Sequence, residues 1–150
     1  MNWQQLKKIA AFYGRFTLSF TQVGYRARKL GWPALRPDFR GQVWLVTGAS
    51  GGLGGWIATE AARHGATVIA AARSAAKLEA LREAARAAGV GASGGGSIEI
   101  EVCDFSLQVD TARLVERLQA SGRRIDVLVN NVGVLNDDHS LTAEGRESSF

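Results

Sequence analysis

The stretch LVTGASGGLGGW, residues 45–56, constrains this chain more than any other part of it. Branched apolar residues run up to Thr47, and then Gly48, Gly51, Gly52, Gly54 and Gly55 fall within eight positions. A short Val-rich run before a glycine turn reads as a buried strand. Residues 53–64, which follow, put Leu53, Ile57 and Ala61 on one helical face. Strand, turn and helix together bring the unpaired N–H groups of a helix start, and the positive end of its dipole, to the mouth of the turn. Glycines there remove Cβ atoms that would hold a ligand off and permit positive φ. The arrangement suits a phosphorylated ligand. Its spacing is not G-x-G-x-x-G, because counting from Gly52 the last position is Ile57; nor is it a Walker loop, because no Gly-Lys-Ser/Thr follows. The spacing that fits is G-x-x-x-G-x-G, carried by Gly48, Gly52 and Gly54.

The rest of the second region alternates in the same way. QVWLVT (42–47) and ATVIAAA (66–72) read as strands buried on both faces. SAAKLEALREAARAAG (74–89) reads as a helix with Ser74 as its N-cap and Gly89 as its stop. GVGASGGGS (89–97) reads as a flexible surface loop with no share in the core. IEIEVC (98–103) alternates apolar and acidic residues, which gives a strand with one wetter face, near a sheet edge. Residues 107–121 predict an amphipathic helix through Val109, Leu114, Val115 and Leu118. IDVLVN (125–130) predicts a fourth strand, and LTAEGRESSF (141–150) the start of another helix. The order β-α-β-α-β-α-β calls for right-handed crossovers and a doubly wound parallel sheet, an α/β fold.

Composition narrows the function classes. With 46% apolar and 21% charged residues in 150, the chain is globular and long enough to bury a core. The single cysteine, Cys103, excludes an internal disulfide framework and suits a reducing, cytoplasmic compartment. His64 and His139 have no ligand spacing, so no metal site is expected. No apolar run is long enough to cross a bilayer. The net charge of +4 is uneven: residues 1–40 carry eight Lys or Arg against one acid, Asp38, while residues 41–150 carry ten against thirteen. Basicity thus belongs to the N-terminal arm, which argues against a nucleic-acid surface on the glycine-rich domain. The arm also holds eight of the twelve aromatic residues. Its Leu6, Ile9, Tyr13 and Phe16 recur at helical spacing, with Lys7, Lys8 and Arg15 off that stripe. GWPALRPDFRG (31–41) reads as a linker, so the chain divides into residues 1–40 and 41–150. Two readings stay open for the arm: contact with an anionic membrane surface, peripheral rather than spanning, or a cap packed across the main domain.

Three motifs carry a resemblance to a known family. TGASGGLG (47–54) resembles the TGxxxGxG cofactor motif of the short-chain dehydrogenase/reductase family. NNVG (130–133) resembles its NNAG motif at the end of the fourth strand, and CDFS (103–106) stands where that family carries an Asp after the third strand. LTAEGRESSF is similar to the segment after NNAG in retinol-dehydrogenase-like members. The arm with FTLSFTQVGY, followed by DFRGQVWLVTG, is similar to the subgroup called dehydrogenase/reductase SDR family member 12. The resemblance implies a Rossmann-type sheet in the order 3-2-1-4, truncated here after the fourth strand. It also implies a nicotinamide dinucleotide cofactor and hydride transfer with a small carbonyl or alcohol.

The same resemblance distributes the site. It places Thr47, Gly48, Ser50, Gly51, Gly52, Leu53 and Gly54 in the cofactor turn, and gives the adenine to Asp104 and the backbone of Phe105. It sets Asn130 and Gly133 along the adenosine ribose, with Asn131 tying the fourth strand to its neighbours. An acid at the end of the second strand selects NAD, whereas a basic residue accommodates the 2′-phosphate of NADP. This strand ends in Arg73, whose guanidinium makes charge-assisted bonds to phosphate, so NADP(H) is favoured over NAD(H). The family's catalytic set is a Ser, a Tyr and a Lys four residues after the Tyr; reducing a carbonyl leaves an alkoxide that needs a proton from a tuned phenol. Tyr25 and Lys29 have that spacing but lie upstream of the glycine turn, and no Tyr or Lys follows Asn131. The expectation is therefore a cofactor-binding half with no catalytic residue of its own, inactive by itself. The alternative is a catalytically silent nucleotide-binding or interaction module. Neither the substrate's identity nor an oligomeric state is written in these residues.

Overall fold

The computed structural model describes residues 2–92, 95–134 and 139–147, in two units, Met1–Arg36 and Pro37–Phe150. In the first unit, α1 (Trp3–Phe20) opens on Asn2, whose side chain accepts from the Gln4 N–H at 3.1 Å while the Gln5 side chain accepts from the Asn2 N–H. Thr21 ends α1 and caps α2 (Gln22–Lys29) by accepting from the Gly24 N–H.

The second unit runs β1 (Val43–Thr47), α3 (Gly52–Arg63), β2 (Thr67–Ala72), α4 (Ala75–Ala87), β3 (Ser97–Val102), α5 (Gln108–Ala120) and β4 (Val127–Val129). All four strands are parallel, in the order β3-β2-β1-β4. Successive side chains of a strand point to opposite faces, so residues two apart share a layer. Val46, Val68, Ala70 and Ala72 pack with Ala58, Ala61 and Ala62 of α3 and Leu78 and Ala85 of α4. Leu45, Ile69, Ala71 and Cys103 form the other layer with Leu114 of α5. Glu99 and Glu101 pair in register with Ile69 and Ala71, which puts them on the α5 side of the edge strand β3. There they pair with Arg123 and Arg117. The wetter face expected of β3 is the one that α5 covers only in part.

Three local readings of the sequence change. Residues 37–40, taken as linker, are packed on the second unit: the Phe39 N–H donates to His64 O at 2.9 Å and its ring centroid lies 4.8 Å from that of Trp44. The stretch 89–97 is not excluded from the core. Val90 is buried beside Ala85, its N–H donating to Ala85 O, and Gly96 is buried against the backbone of Ala62, where a Cβ would collide with the Ala62 carbonyl. A glycine-rich composition here marks a close approach between backbones as well as looseness. Within the tail, Leu141 bridges Glu147 in antiparallel fashion and the Thr142 N–H donates to Arg146 O, a turn rather than a helix start; residues 148–150 of that expected helix lie outside the described residues, as do 93–94 of the loop.

Candidate cofactor site

The site is assembled at the carboxyl ends of β1, β2, β3 and β4, where an open parallel sheet leaves a crevice between its loops. After Thr47 the backbone turns through Gly48 (φ 65°) and Gly52 (φ 56°), a left-handed conformation that residues with a Cβ rarely adopt. Gly54 is buried in the first turn of α3, where an added Cβ would meet Asn131 Nδ2 and lie 2.6 Å from Gly48 O. Gly51 and Gly52 behave oppositely: a Cβ at either would meet nothing within 4 Å. The inner side of the turn is thus packed, and its outer side opens to solvent with only backbone on display.

The helix start beneath that open side lacks a side-chain cap. Gly51 is the N-cap of α3 and there is no acid in its first turn. Every other described helix has a side-chain oxygen on its first N–H groups. Asn2, Thr21 and Ser74 cap α1, α2 and α4, and Glu144 accepts from Gln108 N–H (2.7 Å) and Val109 N–H (3.0 Å) at α5. Unfilled N–H groups plus the helix dipole fit an anionic group such as a pyrophosphate at α3.

Asn131 braces the turn. Its Nδ2 donates to Thr47 O (3.2 Å) and Gly48 O (3.3 Å), and its backbone N–H donates to Thr47 Oγ1 (3.0 Å), which itself donates to Val129 O (3.3 Å). β1 and β4 are thereby clasped at the point where the turn begins. Thr47 is the one buried polar residue of the sheet's core among the described residues, and this clasp satisfies its hydroxyl.

A cleft beside the turn gathers Gly48, Ser50, Arg73, Asp104 and Phe105, which the sequence pointed to, with Ala72, Cys103, Ser106, Val132 and Val134. Arg73 follows β2 directly and is exposed. Asp104 follows β3; its Oδ1 accepts from Ser106 Oγ (2.7 Å) and Ser106 N–H (3.0 Å). Those bonds, with a smaller contribution from the Arg73 charge, hold its carboxyl below the usual Asp range. Burial pushes the Cys103 thiol up, so it is a poor nucleophile at neutral pH. Leu107 is the N-cap of α5, and Asp104 shapes the turn that presents Phe105.

The remaining expected residues lie around this cleft. Leu53 is exposed on the first turn of α3, and Gly133 is exposed beyond β4. Asn130 lines a neighbouring apolar groove with Leu45, Leu114, Leu118 and Leu128. Ser106 was missed, although Asp-x-Ser is the spacing of a side chain that bonds its own backbone two residues on. Val134 carried no such signal. Tyr25 and Lys29 sit on α2 in the first unit, with the Tyr25 ring edge-on to Trp32 at 5.6 Å. Among the described residues no group of His, Cys, Asp and Glu could hold a metal ion.

Comparison with known proteins agrees with this geometry. The family pattern described as short chain dehydrogenase matches residues 42–149. Dehydrogenase/reductase SDR family member 12 of Bos taurus is 28% identical over 147 residues, covering 97% of this chain and 45% of the relative. Retinol dehydrogenase 14 of Homo sapiens is 32% identical over 155 residues, covering 95% of this chain and 45% of the relative. The chain thus spans less than half the length of these curated relatives. Among solved structures, a metagenomic short-chain oxidoreductase in complex with NADP is 41% identical with a TM-score of 0.56, covering 64% of this chain and 41% of that one.

Proposed function

The chain belongs to the short-chain dehydrogenase/reductase family, with a Rossmann-type nucleotide-binding sheet; from that premise we propose that residues 41–150 bind NADP(H) in preference to NAD(H). The binding serves hydride transfer between the cofactor and a small carbonyl or alcohol. The observation that carries this reading is Arg73 at the end of β2, in one cleft with Asp104 and the glycine turn. An acid at that place would bond the ribose hydroxyls; a guanidinium there meets a 2′-phosphate instead. The bound nicotinamide supplies the hydride. The chain's own residues do the holding: the N–H groups at the start of α3 meet the pyrophosphate, Gly51 and Gly52 let backbone come close, and Asp104 with the Phe105 backbone meets the adenine. Asn130 and Gly133 flank the ribose, and Thr47 and Asn131 keep the turn in register.

On the same reading, residues 1–150 by themselves bind the dinucleotide without turnover, because no Tyr or Lys follows Asn131. The buried thiol of Cys103 supports a reducing, cytoplasmic setting. The test is a fluorescence titration with NADPH and NADH on the chain and on Arg73→Ala. Charge-assisted bonds at an exposed site contribute about one factor of ten. NADPH should bind at least tenfold more tightly than NADH, and Arg73→Ala should remove that margin while leaving NADH unchanged. Equal or tighter NADH binding to the unaltered chain overturns the assignment.

A further inference from the structure

On α1, six large apolar residues, Leu6, Ile9, Phe12, Tyr13, Phe16 and Phe20, fall within an arc of about 120° at 3.6 residues per turn. Lys7 lies opposite this arc, while Lys8 and Arg15 flank its Phe12 edge, Arg15 lining a groove with Phe12, Phe16 and Phe20. The stripe is open: Phe20 is 78% exposed, Tyr13 65% and Phe12 58%. Its rings run along the helix as a ladder, with centroids 4.5 Å apart for Phe12 and Phe16 and 5.4 Å for Phe16 and Phe20. The last turn of α2 adds Arg26, Arg28 and Lys29. Residues 1–36 contain seven Lys or Arg and no acid at all.

An exposed apolar stripe of this size marks a contact surface, and its charge says with what. A protein partner bound through the rings alone would not call for a unit without a single carboxylate. Single-stranded nucleic acid calls for rings left open for bases to stack on, whereas the Phe12, Phe16 and Phe20 rings pack on one another. An apolar arc flanked by long basic side chains is the layout of a helix lying in the plane of a bilayer, rings at the acyl boundary and cations reaching up to anionic headgroups. No described helix is long and apolar enough to cross a membrane, so the contact to consider is with the bilayer surface. We infer that the first unit docks the protein on an anionic lipid bilayer, with the Phe12–Phe16–Phe20 ladder inserted and Lys7, Lys8 and Arg15 facing headgroup and water.

The experiment is co-sedimentation of residues 1–150 with vesicles of phosphatidylcholine alone, or with phosphatidylserine as about one lipid in three. The protein should pellet with the anionic vesicles at low salt and be progressively released as salt shortens the screening length. Each basic residue near the surface contributes roughly fivefold. Lys7→Gln, Lys8→Gln and Arg15→Gln together should therefore weaken partitioning on the order of a hundredfold, with the ring ladder intact. Phe12→Ser with Phe16→Ser should remove the binding that persists at high salt. NADPH titration of each variant, read separately, reports that the second unit remains folded. The inference is overturned if the chain ignores anionic vesicles at low salt. It is equally overturned if the triple Gln variant binds as the parent does, or if sedimentation shows a self-associated form that vesicles do not dissociate.

Discussion

A single methyl group at Gly54 should separate a packed turn from a loose one. The Cβ of Gly54→Ala falls on Asn131 Nδ2 and 2.6 Å from Gly48 O, where ordinary contact begins at 3.4 Å. Both contacts are with the turn or its brace, so both must give way, Gly48 O by about 0.8 Å and the Asn131 amide by more. Overpacking of this kind costs about 1–3 kcal/mol. The brace's side-chain bonds to Thr47 O and Gly48 O, at 3.2 and 3.3 Å, have little length to spare, and losing one adds about 1 kcal/mol. A total of about 2–4 kcal/mol lowers the midpoint of thermal unfolding by roughly 10 °C for a unit of this size. Gly51→Ala is the matched control: its φ of 165° is extended backbone and its Cβ meets nothing within 4 Å. It should stay within about 0.5 kcal/mol of the parent yet weaken NADPH binding, because the methyl stands on the turn's open side. Far-UV circular dichroism melts with and without NADPH read both effects. If Gly54→Ala melts and binds as the parent does, the turn is not held between Gly48 and Asn131 and the reasoning fails.

Other consequences are local. Gly96→Ala drives a Cβ into the Ala62 carbonyl and should cost at least about 1–3 kcal/mol in urea unfolding, although it lies in a glycine-rich loop. The N–H groups of Val109 and Gln108 hold the Glu144 carboxyl below its ordinary value of 4.5. A lowered folded pKa means that this cap on α5 is fully present above about pH 4.5 and is lost as pH falls through the folded value. Glu144→Gln should therefore lower the urea midpoint at neutral pH and flatten its acid decline. Leu128, 56% exposed on the edge strand β4, should promote self-association; Leu128→Lys should reduce light scattering at high concentration and leave the melting midpoint unchanged.

What was legible in the sequence was what repeats or what is buried on both sides. ATVIAAA reads as a strand because every residue of Val68–Ala72 is covered in the sheet, and its ends differ from β2 by a residue at most. The order of strands and helices followed from alternation, and the sheet edge at β3 from Glu99 and Glu101. The expected turn residues Gly48 and Ser50 share a cleft with Arg73 and Asp104, which come from strands more than twenty residues on. What stayed hidden depends on partners distant in sequence. Glu144 caps α5 from 35 residues beyond Val109, and no helix signal at Gln108 calls for it. Gly96 looks like loop until Ala62 is seen against it. IDVLVN suggested six strand residues, but β4 ends at Val129 because Asn131 turns its bonds to Thr47 and Gly48, and it starts at Val127 because Asp126 bonds Val43 through both backbone and carboxylate.

Amide hydrogen exchange on residues 1–150, with and without saturating NADPH, tests the central claim most directly. Protection should appear at the amides of residues 48–54, where α3 begins without a side-chain cap, and at 104–106 beside Arg73, and NADH should protect the second set less. Unchanged exchange at both segments, or protection confined to other parts of the chain, would contradict the account.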